Sequence, residues 1–246
     1  ILKNIITNLI ISIIPLLIIN GCGTPKSLNN KKLINTYKIY ENNQEINNSA
    51  IDYLILSKPN KKIFSIPIGL NAYNLSKKIN DSSFNFWLNK KQNRKKRIEK
   101  IISNKQLNQI EKYSHKINNW LKKNSENPAY YNKTSINQSI KGIVKYYQNI
   151  GYFDVKVQFN DKIIDKNKVD LIYKIQTGKR YFFDIISNEI ESTDLQSLYD
   201  ENLFAQKIKK GNPFTLKKIN EERKRLISLF KDYGIYNFEQ SSIKFF

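Results

Sequence analysis

SINQSIKGIVKYYQNIGYFDVKVQFNDKIIDKNKVDLIYKIQTGKRYFFDII, residues 135–186, decides the fold. Ile136, Ile140, Ile143, Val144 and Tyr147 recur at the spacing of one apolar stripe on an amphipathic helix. Gly151 ends that helix just past Asn149, because a helix terminus favours a left-handed residue with no Cβ penalty. The period then drops to two. Phe153, Val155, Val157 and Phe159 alternate with Asp154, Lys156 and Gln158, which predicts a strand with one buried and one wet face. Asp161 to Lys168 reads as a polar turn, and Val169, Leu171, Tyr173 and Ile175 as the returning strand of an antiparallel hairpin. Thr177-Gly178 closes the unit, and Tyr181 to Ile186 begins a further strand.

The same order recurs downstream. Asp194 to Lys209 carries Leu195, Leu198, Tyr199 and Leu203 at helical spacing, and Gly211-Asn212-Pro213 breaks it. A second helix follows, with Ile219, Arg223, Leu226, Ile227 and Phe230 as its stripe and the stem of Arg223 lying along it. Gly234 ends it, and Tyr236, Phe238, Ile243 and Phe245 resume an extended run. Tyr147-x3-Gly151-x-Phe153 aligns with Phe230-x3-Gly234-x-Tyr236. One ring closes the helix, the glycine permits the reversal, and the second ring opens a buried strand face. The expected architecture is therefore an α+β unit repeated in tandem.

A formal charge of +21, from 42 Lys and Arg against 21 Asp and Glu, raises nucleic acid or an anionic membrane as partner. The positive residues are spread through every segment in a chain rich in Lys, Asn and Ile, as low-GC codon usage would produce. They lack the focused stripe that a phosphate backbone requires. The densest run, Lys90 to Arg97, reads as a solvated helix face with no interleaved aromatic residue. Met is absent, so the chain is expected to be a fragment of a longer protein.

Leu9 to Ile19 is apolar apart from Ser12, follows Lys3 and precedes Asn20-Gly21-Cys22. That length suits the apolar core of a signal peptide and falls short of a bilayer span. Cys22 is the only cysteine, so it has no intrachain disulfide partner. Thr24 to Lys32 follows as a polar tether. Leu33 to Tyr40 is expected to be the first strand, and Asn48 to Ser57 a short helix turning Ile51, Leu54 and Ile55 inward. The segment 59–131 makes the first unit longer than the second and reads as an insertion. It holds a charged helix from about Lys91 to His115, and Trp87 and Trp120 as packing anchors, each beside a leucine. One His and one Cys allow no zinc site, Cys-His pair or Ser-His-Asp triad. Asp154, Asp170 and Asp184 show no sign of converging, and no Gly-rich phosphate loop exists. Neither catalysis nor a cofactor is expected.

With Gly151-Tyr152-Phe153 opening the hairpin and Tyr173 to Tyr181 joining one unit to the next, the chain resembles the POTRA domains of the BamA/TamA outer-membrane assembly family. Ile19-Asn20-Gly21-Cys22 resembles the lipobox of bacterial lipoproteins, although Asn20 departs from the small or aliphatic residue usual there. The lipobox, the Pro59-to-Leu75 segment and Trp120-Leu121-Lys122-Lys123 resemble more particularly the lipoprotein TamA-like branch of Bacteroidota. The resemblance implies a signal peptide (1–21), a lipidated tether (22–32, acylated at Cys22), a first β-α-α-β-β unit (33–179) and an incomplete second one (180–246). Each unit would place two helices on one face of a three-stranded sheet. Phe246 falls inside the second unit's expected hairpin, before further POTRA sequence and a barrel.

By the same resemblance the protein would sit on the periplasmic side of the bacterial outer membrane and work with other assembly subunits. It would bind unfolded outer-membrane barrel proteins and pass them to the barrel. The edge strand with Phe153, Val155, Lys156, Val157 and Phe159 would take substrate by β-strand addition. Two other classes stay open at this point: a periplasmic lipoprotein scaffold without a barrel, and a basic nucleic-acid-binding protein.

Overall fold

The computed structural model describes residues 31–76, 83–91 and 93–245. The expected signal segment, Cys22 and most of the tether lie outside these residues. The chain divides into two compact units, one containing Ser57–Asn132 and Asp161–Leu171 with the stretch up to Tyr37, the other Lys38–Leu56, Lys133–Asn160 and Ile172–Phe246.

The fold is α+β. Its sheet has four strands, β1 (Leu33–Glu41), β2 (Gln44–Glu45), β3 (Lys156–Asp165) and β4 (Lys168–Gln176), in the order β2-β1-β4-β3. The fourth strand, β2, corrects the three-stranded expectation. Asn42 and Asn43 both adopt positive φ (47° and 72°), which makes the tight turn that folds β2 back on β1 with Glu41 opposite Gln44. Asn is among the non-glycine residues that tolerate that region best, and Asn42 is further held by a long-range bond, its Nδ2 donating to Thr177 Oγ1 (3.1 Å). β4 is central and its alternation is realised in full: Val169, Leu171, Tyr173 and Ile175 are buried. The Leu33 N–H donates to the Asn167 carbonyl and the Asn42 N–H to the Ile175 carbonyl, so β1 runs parallel to β4.

β3 begins and ends later than the alternation predicts. Phe153 lies in a turn and Val155 just after it, both before the strand, and the stretch from Asp161 to Asp165 continues the strand. The hairpin turn is only Lys166-Asn167, pinned by the Asn167 N–H donating to Asp165 Oδ1 (2.7 Å).

In the second unit, α1 (Ser49–Leu54) packs on a long helix, designated α6 (Lys133–Asn149). Asn48 caps α1 by accepting from the Ala50 N–H (2.9 Å). Ser139 on α6 is fully buried, donates to the Ser135 carbonyl (2.9 Å) and accepts from the Leu56 N–H (2.9 Å), tying the two helices together. Ile136, Ile143 and Tyr147 form the buried stripe. Burial, reinforced by the Glu41 carboxylate that accepts a hydrogen bond from it, holds the Tyr147 phenol far above its ordinary pKa.

Both helix-ending glycines are left-handed, Gly151 at φ 95° and Gly234 at φ 93°. The caps match bond for bond: the Tyr152 N–H reaches the Tyr147 carbonyl (3.0 Å), and the Ile235 N–H reaches the Phe230 carbonyl (3.0 Å). The repeat is thus a shared helix stop. Its second ring plays another part than expected, since Phe153 is 44% and Tyr236 78% exposed. The apolar contact comes from the residue directly after each glycine: Tyr152 meets Tyr147 edge-on at 5.9 Å, and Ile235 joins the cluster around Phe230.

The first unit carries α2 (Ile68–Ser76), α3 (Ser83–Asn89), α4 (Arg94–Glu99) and α5 (Asn104–Lys123). The single charged helix expected from Lys91 to His115 is two helices. Ser103 starts α5 with a capping box, its hydroxyl accepting from the Gln106 N–H while Gln106 Oε1 accepts from the Ser103 N–H. α5 packs on α2 and α3, and buries Leu107 and Leu121. The tryptophans are not the anchors: Leu88 and Leu121 are each 2% exposed, whereas Trp87 and Trp120 are half-exposed. Asn60 closes this unit, donating to the Asn127 carbonyl (2.8 Å) and accepting from the Ala129 N–H (2.9 Å).

Beyond Gly178 the expected strand at Tyr181 to Ile186 reduces to one bridge, Phe182 to Pro213. The expected helix from Asp194 to Lys209 is α7 (Thr193–Glu201) and a single 3₁₀ turn, Leu203–Ala205. α8 (Leu216–Asp232) is present, but Tyr236 to Phe245 forms no strand; Gln240–Ser242 is a 3₁₀ turn. Leu198, Tyr199 and Phe230 form a buried cluster joined by Leu195, Leu226, Leu229 and Phe238. Arg223 lies partly buried with its guanidinium 5.0 Å from the centre of the Phe245 ring. The buried stripe of α8 also includes Glu222, one turn on from Ile219.

Candidate functional site

The sheet has two borders and they are built differently. β2 is two residues long and carries an ion pair between Glu45 and Lys38 of β1 (2.8 Å). A short, charged strand is a poor template for another chain. β3 at the other border has ten residues, and among the described residues only β4 pairs with it. Its outward N–H and C=O groups are the donors and acceptors a further strand would need.

Five residues expected on this border take three positions. Lys156, Val157 and Phe159 lie on β3; Lys156 points to solvent, while Val157 and Phe159 are half-buried. Phe159 meets the buried Tyr173 of β4 with ring centres 5.3 Å apart. Val155 is buried just before the strand. Phe153 belongs to an aromatic corner instead, 4.9 Å from Phe214 and 5.3 Å from Tyr181. That corner is fastened by main-chain bonds, from the Tyr181 N–H to the Gly151 carbonyl (2.8 Å) and from the Phe214 N–H to the Tyr181 carbonyl (3.0 Å). Tyr181 also donates to Asp154 Oδ2 (3.2 Å), which raises its own pKa. The corner thus fixes where β3 begins. Cys22, the sixth expected site residue, lies outside the described residues.

The three aspartates considered for paired-carboxylate chemistry each have a separate partner. Asp154 accepts from Tyr181, Asp170 from Asn35 (2.8 Å), and Asp184 pairs with Lys210 (3.2 Å). No group of three His, Cys, Asp or Glu among the described residues is placed to hold a metal ion. Among those residues, no helix is long and apolar enough to cross a membrane.

Two features escaped the sequence reading. The Asn42-Asn43 turn that shuts the β1 border was signalled by the Asn-Asn pair, and the buried Glu222 by its place one turn from Ile219.

Residues 90–178 match the POTRA family model, surface antigen variable number repeat. The POTRA match covers α4, α5, α6, β3 and β4, well under half the chain, and begins inside the segment expected to be an insertion. It relates this stretch at the coarse level to the BamA/TamA type. POTRA domains are non-catalytic scaffolds that engage other proteins in outer-membrane assembly. No curated protein and no solved structure matches the chain.

Proposed function

We propose that the chain is the periplasmic POTRA region of an outer-membrane protein assembly factor, and that it takes extended segments of unfolded barrel proteins along β3. The observation that carries this reading is the asymmetry of the sheet, with a long border strand left open opposite a short one shut by β2. Main-chain hydrogen bonds would supply the affinity, so clients of many sequences would be accepted. Val157 and Phe159 turn partly inward and Lys156 outward, which leaves the backbone edge itself as the common contact. The client would then pass to a membrane barrel. Residues 33–179 and 180–246 act as tandem POTRA-like units, and Cys22 carries the lipid that holds them at the membrane.

Successive N–H groups on a strand alternate between its two neighbours. One of Lys156→Pro and Val157→Pro therefore removes an outward donor, and the other a donor to β4. With a photo-cross-linker on a nascent barrel peptide, at least one of the two is expected to abolish cross-linking while far-ultraviolet circular dichroism keeps its native shape. Undiminished cross-linking in both removes this border from the mechanism. The anchor is read separately: palmitate incorporation should vanish in Cys22→Ala, and incorporation that persists excludes Cys22 as the acylated residue.

A further inference from the structure

We propose that Phe86 and Trp87 of α3, with Lys95, Lys96 and Arg97 of α4 and the following Ile101, form a docking patch for an anionic lipid bilayer surface. The proposal stands or falls independently of strand addition. In the sequence, Lys90 to Lys100 holds seven cationic side chains against one carboxylate, Glu99. The structure adds what the linear pattern hides, namely apolar side chains presented beside those cations. Phe86 is 67% exposed and Ile101 83%, with Trp87 half-exposed. Lys95, Lys96 and Arg97 are all exposed, and only Lys95 comes near Glu99, at 3.9 Å. Apolar side chains that can enter the headgroup boundary, set among cations that attract acidic headgroups, are what a bilayer surface selects.

The same cations and rings fit a single-stranded nucleic acid less well. Stacking requires an open ring face. Lys90 Nζ already lies 5.9 Å from the centre of the Phe86 ring, and the Arg94 guanidinium 4.6 Å from that of Trp87; Arg94 also donates to the Trp87 carbonyl. Ile101 gives a base nothing to stack on, whereas it suits the boundary of acyl chains. Leu88 is buried, and α3 packs on both α4 and α5.

The test uses the full chain with Cys22→Ser, so that acylation plays no part, and Ile101→Cys labelled with an environment-sensitive nitrobenzoxadiazole probe. It is mixed with phosphatidylcholine vesicles with or without phosphatidylglycerol. Because the probe is local, insertion elsewhere in the chain does not register. The expected result is a blue shift at position 101, quenched by brominated acyl chains, on the anionic vesicles only. Adding Lys95→Glu, Lys96→Glu and Arg97→Glu should weaken it at least about a hundredfold, taking roughly fivefold per basic residue lost from the surface. A probe that stays in water on anionic vesicles, an equal response from the triple variant, or displacement from the vesicles by a stoichiometric single-stranded oligonucleotide would each overturn the proposal.

Discussion

Replacing Glu222 by alanine is expected to cost about 3–5 kcal/mol, the range for breaking a buried ion pair from one side. The Glu222 side chain is 3% exposed and that of Arg225 12%, one turn apart on α8. Glu222 accepts from Arg225 at 2.6–3.1 Å and, through Oε2, from the Lys207 N–H at 2.7 Å. Arg225 in turn donates to the Asn202 carbonyl (3.3 Å). The pair therefore straps the 202–207 loop to the helix. Alanine would leave both a buried guanidinium and a main-chain N–H without their acceptor, each with its own desolvation cost. Glu222→Gln keeps an acceptor oxygen and should lose about half as much; replacing both partners by methionine should cost about 1–3 kcal/mol, because no charge is left unpaired but the Lys207 N–H and the Asn202 carbonyl lose their partners. Urea denaturation of the three variants checks this ordering. A loss under about 1 kcal/mol for alanine, the range of a surface pair, would show that the strap does not form.

Gly151→Ala and Gly234→Ala should differ, although their backbone angles are nearly the same. Any L residue at φ 95° or 93° pays about 1–2 kcal/mol for the left-handed region. At Gly234 that is the whole cost, because an added Cβ meets nothing within 4 Å. At Gly151 the Cβ would fall 2.8 Å from the Phe214 carbonyl oxygen and 3.2 Å from that of Tyr181. Those atoms are main chain in the aromatic corner and have no rotamer to change. The added crowding brings the expected loss at Gly151 to about 3 kcal/mol or more. Thermal or urea unfolding of the two variants measures the gap, and equal losses would mean that the corner does not close over Gly151.

The parts legible in the sequence are those where one physical demand dominates. Ile136, Ile143 and Tyr147 had to face a core, Gly151 had to be left-handed, and central β4 buries one face between two neighbouring strands, so each left a clear period or a glycine. The border strand was harder to bound. Asp161 to Asp165 is exposed throughout, and a strand with both faces wet has no alternation to distinguish it from a turn. Tyr181 to Ile186 shows the converse. Its aromatic and β-branched residues read as a strand, yet strand preference expresses itself only against partners, and here the main-chain partners are Gly151 and the 211–214 loop. Trp87 and Trp120 read as anchors because each stands beside a leucine, yet it is the smaller Leu88 and Leu121 that take the interior. Of the candidate site, Lys156, Val157 and Phe159 were located from alternation, but Phe153 was assigned to the strand when it belongs to the corner that precedes it.

The Asn42-Asn43 reversal has a consequence for stoichiometry. A platform sealed along one margin can lengthen only from the other, so a guest laid against β3 becomes the new outermost row and its own far side the next landing place. Folding back, the guest could then lay its following segment on itself, and nascent hairpins would accumulate in sequence from a fixed starting line.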